Sequence, residues 1–282
     1  GDGGAIFWAG INGTVENSRF IDNEAQLNND AYHIGGRGGA VYIEPCNHGN
    51  RNTTFKDVYF KNNIAGTNGG AINWHDGAHD GVVDNATFIN NTARRNGGAI
   101  FWHGTNGTVK NSRFDNNRAT GEAWLSDYNI KMSDIHVINV TGSGEIDING
   151  LVNVPVEGNL YVINQTISSK IDHFESWIYD GTKFIKLDET NISLSESIIS
   201  PVDWAIDQYF GGDGGTILWS GNGGLVYNCS FVESNSARRG GGAYMTGSDN
   251  ITFSNSKFIN CTSGPNGGGL AWLAGANNGK AL

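Results

Sequence analysis

The residues of this 282-residue chain best suited to chemistry lie in the stretch HDGAHD, where His75, Asp76, His79 and Asp80 crowd together. Imidazoles and carboxylates at such spacing are the ligand types that hold a transition metal. His103 stands one repeat further on, at the position equivalent to His75. The stretch is also a loop lengthened by two residues relative to its counterpart, and a solvated loop accounts for it without an ion. On that reading no metal and no cofactor is assigned. Catalysis on polysaccharides would need two carboxylates facing one cleft, or clustered aspartates for calcium beside a base. The acids Asp22, Glu44, Asp115 and Glu233 are scattered and form no column, so no catalytic residue is expected.

The elements that carry these residues repeat. GGAIFW occurs at Gly3–Trp8 and again at Gly97–Trp102, with GGAVYI at Gly38, GGAINW at Gly69 and GGTILW at Gly214. Counting the glycine pairs at Gly241 and Gly268, the base unit is about 27 or 28 residues. A second motif follows, as in VENSRFIDN at Val15–Asn23, VDNATFINN at Val83–Asn91 and VKNSRFDNN at Val109–Asn117. Its columns are Phe20, Phe60, Phe88, Phe114, Phe231 and Phe258, with an Asn or Asp three residues before each. Three residues after stand Asn23, Asn63, Asn91 and Asn117, then Ser234 and Cys261.

Short apolar runs punctuated by Gly, Asn and Ser favour strands and turns. One circuit of short strands per unit, stacked at about 4.8 Å, sets like residue on like. The spacing therefore predicts an all-β, right-handed parallel β-helix. A propeller blade needs about 40–50 residues and does not fit. Residues 1–120 read as coils, and 121–169 as degenerate coils, with NIKMSDIHVIN at Asn129–Asn139 scanning in the same frame. Residues 170–212 read as an excursion with a hairpin at Asp180–Gly181 and a short helix after Ser200, and 213–282 as coils again. The excursion serves as a long side loop or as a recognition element.

Glycine is heavily used, at 42 residues, but 30 aromatic residues give the chain a core to bury. A net charge of −10 argues against nucleic acid as a partner, and no run of 18 apolar residues offers a membrane span. The chain starts and stops inside a repeat, so it is expected to belong to a longer protein. Open coil ends then meet adjacent coils or a further copy end to end.

The GGAI-type strands together with NSRFIDN and NATFINNTA resemble the adhesin-like surface proteins of methanogenic archaea. They are more distantly similar to bacterial polymorphic outer-membrane proteins with GGA-I and F-x-x-N repeats. The matching copies cover about two-thirds of the chain; Gly121–Gly212 departs from them. The resemblance implies a secreted, wall-associated adhesin with no defining catalytic residues, whose partners are glycans or surface proteins of other cells. The β-helix is also the fold of pectate lyases and polygalacturonases, so a polysaccharide lyase or hydrolase is one alternative. A self-assembling filament or wall layer is the other.

A binding stripe is expected on the first strand of each coil. If its Ile and Trp columns face inward, the column between them faces out. That column, read as Phe7, Tyr42, Asn73, Phe101, Leu218, Met245 and Trp272, would expose a row of aromatics suited to sugar rings. Eleven Asn-x-Ser/Thr triplets agree with secretion. Asn12, Asn52 and Asn106 stand in expected outer turns; Asn228 is expected in an inner ladder. Cys229 and Cys261 occupy different columns and are expected as buried thiols, while Cys46 falls in a widened loop.

Overall fold

The computed structural model describes residues 1–27, 29–30, 33–44, 50–122, 130, 132–168, 171–193, 201–202, 204–205, 210–273 and 275–282. The chain forms two compact units, residues 1–124 with 211–282, and residues 125–210.

The first unit is the parallel β-helix, wound in the right-handed sense that parallel crossovers take. Its GGA-I strands run from Ile6–Trp8 to Leu270–Trp272 and pair in chain order into a seven-stranded parallel sheet, here the first sheet. A second seven-stranded sheet runs from Thr14–Glu16 to Lys280–Ala281. A third, of six strands, runs from Arg19–Ile21 to Lys257–Ile259. A narrow five-stranded ladder joins Glu24–Ala25 to Asn235–Ser236.

The glycine pair has a specific cause at each position. Gly38 sits at φ 65°, and a Cβ there would lie 2.0 Å from the Val41 carbonyl oxygen. Gly39 has an ordinary φ, but a Cβ would lie 2.1 Å from the Gly70 carbonyl oxygen, one coil on. The first glycine makes the corner and the second lets the coils close. The other corners mostly use asparagine, the side chain that best tolerates left-handed backbone, with Asp22, Asp57, Asp80 and Glu233 at equivalent places. Asn85, Asn111 and Asn228 lie at φ 49–52°, and Asn62, Asn90 and Asn116 at φ 50–54°.

Inside, like stacks on like. Neighbouring rings of the Phe column are 4.7–5.0 Å apart and nearly parallel. Trp74, Trp102 and Trp219 stack at 4.2 and 4.7 Å. The Asn63 amide donates to Asn91 at 2.8 Å and the Asn91 amide to Asn117 at 2.9 Å. Each amide also donates to a backbone carbonyl, and its oxygen accepts a backbone N–H, so these fully buried polar groups are satisfied. This inner ladder is the column after the Phe. The column before it, with Asn228, lies at exposed left-handed corners instead, because those residues carry the turn and have no room to face inward.

Nothing of the coil is missing across the long gap in the repeat. Trp102 pairs with Trp219 and Phe114 with Phe231 in unbroken register. A Cβ on Gly212 would lie 3.0 Å from the Gly121 Cα, so the chain departs and returns at one place. Residues 125–210 are thus spliced between two consecutive coils.

Degenerate coils do not fill that span. After a 3-10 turn at Met132–Asp134, the strand Ile135–Thr141 pairs in parallel with Leu160–Ser168. That strand pairs antiparallel with Ile171–Tyr179, which forms a hairpin with Phe184–Ser193. The result is a four-stranded mixed sheet. The stretch GEIDINGLVNV holds a helical turn, Ile148–Leu151, capped by the Asp147 side chain. Residues 201–202 and 204–205 are helical, and Trp204 packs edge-on against Phe174. Strands here run seven to ten residues, against two to four in the coils.

Candidate functional site

The expected aromatic stripe lies on the outward face of the first sheet, since Ile72, Trp74, Ile100 and Trp102 are buried inside. It is not an open row. Phe7 is 58% exposed and Phe101 half-buried, but Tyr42 and Asn73 are each only 1% exposed. The Arg37 guanidinium lies over the Tyr42 ring at 4.7 Å and pairs with Asp2 at 2.8 Å. Burial, then a hydrogen bond with Glu44, push the Tyr42 phenol above its ordinary range.

Met245 and Trp272 do not belong to the stripe. Leu218 pairs with Tyr244 and Tyr244 with Ala271, while Trp219 pairs with Met245 and Met245 with Trp272. Gly240–Gly242 supplies three glycines, and the corner with positive φ is Gly240, one residue before the pair that the repeat suggests. The expected frame therefore slips by one position, which in a strand exchanges the two faces.

A signal for the true frame was present in the sequence. Each tryptophan of the inward column rests on a glycine that starts the second sheet: Gly13 under Trp8, Gly81 under Trp74, Gly107 under Trp102, Gly224 under Trp219. Where the column carries Ile43 the floor is Thr53, and where it carries Met245 the floor is Ile251. Large over small alternates with medium over medium, and only one frame gives that pairing throughout.

The HDGAHD residues stay apart. His75 Nδ1 faces the Asp76 carbonyl at 3.0 Å, and His79 Nδ1 faces the Thr105 hydroxyl at 2.8 Å. Burial, the largest influence on His103, holds its ring below the ordinary histidine range. Asn12, Asn52 and Asn106 are exposed at φ 55–58°, with the Asn52 amide donating to Asn12 and the Asn106 amide to Asp80. Cys229 is buried and free, with its thiol pushed up to about 12 mainly by desolvation; Cys261 is half-buried and free. Cys46 lies outside the described residues.

The densest set of titratable side chains sits on the mixed sheet of residues 125–210. His173, Glu175 and Trp177 alternate onto one face of their strand. Glu175 is 7% exposed and accepts from Lys186 Nζ at 2.8 Å and Trp177 Nε1 at 3.0 Å, with His173 Nε2 at 3.0 Å. Lys186 also bonds Glu189 and lies 5.5 Å from the Trp177 ring centre. Burial pushes the Glu175 carboxyl up, but these hydrogen bonds outweigh it and hold the group below its usual range.

Charge separates the two units. Residues 125–210 hold 13 of the 28 acidic residues and 4 of the 18 basic ones, a formal charge of −9, leaving −1 on the coils. No family model matches the chain, and no curated protein or solved structure shows significant similarity to it. Among the described residues, no helix is long and apolar enough to cross a membrane.

Proposed function

We propose that this protein is a non-catalytic, extracellular adhesin-like protein whose coils are a scaffold and whose inserted unit, residues 125–210, is the recognition element. The observation that carries this reading is the splice. Coils before and after the insertion stack in register, Trp102 on Trp219 and Phe114 on Phe231, so the ladder is complete without it. A unit that the scaffold does not need, and that bears nearly all of the net charge, supports a binding role for residues 125–210. Glycans or surface proteins of other cells are the partners this reading favours, and the repeat motifs favour the cell surface.

The test compares the full chain with a chain in which 125–210 is replaced by a short Gly/Ser linker. Both are applied to a glycan array and to immobilised surface proteins. Loss of binding with retained cooperative unfolding of the coils is the expected result. Binding that survives the deletion would move recognition to the coils. New reducing ends or unsaturated products on incubation with polygalacturonate would replace the adhesin with an enzyme.

A further inference from the structure

We propose that His173, Glu175 and Glu189 form a binding site for a divalent transition-metal ion, in which the Lys186 ammonium is a resident counter-ion that the metal displaces. The site lies on the mixed sheet, apart from the HDGAHD loop, and does not depend on what the inserted unit recognises.

The sheet builds this set by an irregularity. Residues 186 and 189 of a regular strand would point to opposite faces, because faces alternate. Here Ser176 pairs with Asp188 and Trp177 with Lys186, leaving Leu187 as the extra residue of a bulge. The bulge turns Lys186 onto the face that carries Glu189, opposite Glu175. Bulges that re-aim a side chain in this way concentrate beside functional sites.

The donor set is chemically apt. One imidazole nitrogen and two carboxylate oxygens lie within 4.8 Å of one another, the sole such trio among the described residues. His173 Nε2 is 3.0 Å from Glu175 Oε1 and 3.9 Å from Glu189 Oε2. Ligands about 2.1 Å from a tetrahedral zinc ion stand about 3.4 Å apart, so the two distances from the His173 nitrogen bracket the required separation. Three protein ligands with one position left for water match the open type of zinc site.

The surroundings fix the ligands. The second oxygen of Glu175 accepts from the Trp177 indole at 3.0 Å, which holds the carboxylate in place as an outer-shell donor does. A cation is already required between the two carboxylates, and Lys186 supplies it from a side chain that is about one-third exposed and can swing to solvent. On binding, the metal takes Nε2 of His173, the proton that Nε2 shared with Glu175 Oε1 passes to solvent while Nδ1 carries the one proton of the neutral ring, and Lys186 leaves still protonated. No bond to carbon is made or broken.

The experiment titrates Zn2+ into the full chain, read by calorimetry and by Trp fluorescence, with EDTA reversal. We expect reversible binding, His173→Gln and Glu189→Gln each to weaken it at least about tenfold, and Lys186→Met to strengthen it. Glu189 and Lys186 are at the surface, so their variants test the site even if His173→Gln does not fold, which circular dichroism checks. Binding that none of the three variants alters would overturn the proposal. So would the absence of binding up to about 1 mM Zn2+ in both the unaltered chain and Lys186→Met.

Discussion

A coil around Phe88 spends its side chains on the rungs above and below, Phe60 and Phe114, each about one repeat away in the chain. The inserted unit spends its own on strands of seven to ten residues, and Tyr179 meets Phe184 across a short turn. The coils hold one continuous column of Phe rings, an amide ladder through the first four copies, and a charge near neutral. The inserted unit holds a small mixed sheet, a buried carboxylate with three donors, and a charge of −9. The comparison shows two ways of meeting the cost of burial. Repetition satisfies polar groups by stacking copies of the same group, as the Asn63–Asn91–Asn117 ladder does. A unique sheet must satisfy them one by one, and the network around Glu175 does so with three different donors.

The contrast breaks most visibly at Phe88, which is fully buried between two parallel rings. Phe88→Ala should destabilise the coils by about 3–5 kcal/mol, measured as a shift in the urea midpoint. An unchanged midpoint would mean that the ring column is not a core.

Next in size is the floor beneath the tryptophans. A Cβ on Gly107 would lie 2.3 Å from the Trp102 ring, so Gly107→Val should cost about 1–3 kcal/mol by overpacking. Adding Trp102→Ile should recover much of that loss, since Ile43 over Thr53 already packs this way. A double variant no better than the single one would show that the columns are not size-coupled.

Acid should act on the coils through His103. Its folded pKa lies below the ordinary histidine value, so the unfolded chain takes up the proton first. The stability this contributes is complete above about pH 6.5 and is lost as pH falls through the folded value. His103→Gln should flatten the slope of stability as pH falls below about 6.5. A slope unchanged by the substitution would assign the effect elsewhere.

The smallest effect is on reactivity alone. With its thiol near 12, Cys229 should resist iodoacetamide at pH 8 in the folded chain and react on unfolding. Peptide mapping separates it from the other two cysteines, and rapid native labelling of Cys229 would contradict its burial.

The coil architecture was legible because it is written many times. Glycine pairs, the Phe column and the inner asparagines recur at one spacing, and only stacked coils put those columns to use. Legibility failed where a copy offered two frames. Three glycines at Gly240–Gly242, and again at Gly267–Gly269, allowed a slip that placed Met245 and Trp272 on the wrong face. It failed again at Asn129–Asn139, because Ile130 and Ile135 keep the Val15–Phe20 spacing by themselves, while the alternation of Ile135 and Val137 suits any half-buried strand and names no partner. The trio of His173, Glu175 and Glu189 was beyond reach for a different reason. It is assembled by a bulge at Leu187, and a bulge leaves no mark in the spacing of side chains.

The splice also sets a sequence of events for the nascent chain. Consecutive coils elsewhere are joined over 27 to 35 residues, but the fifth coil docks on the fourth only after 117 residues have been made. For a flexible chain, closing the longer loop costs about 1.3 kcal/mol more entropy than closing the shortest one. That penalty shrinks if residues 125–210 fold first, because a folded unit between Gly121 and Gly212 acts as a short bridge. The expected order of assembly is the first four coils, then the inserted unit, then the last three. Slowing the folding of residues 125–210 should delay the C-terminal coils while leaving the first four untouched.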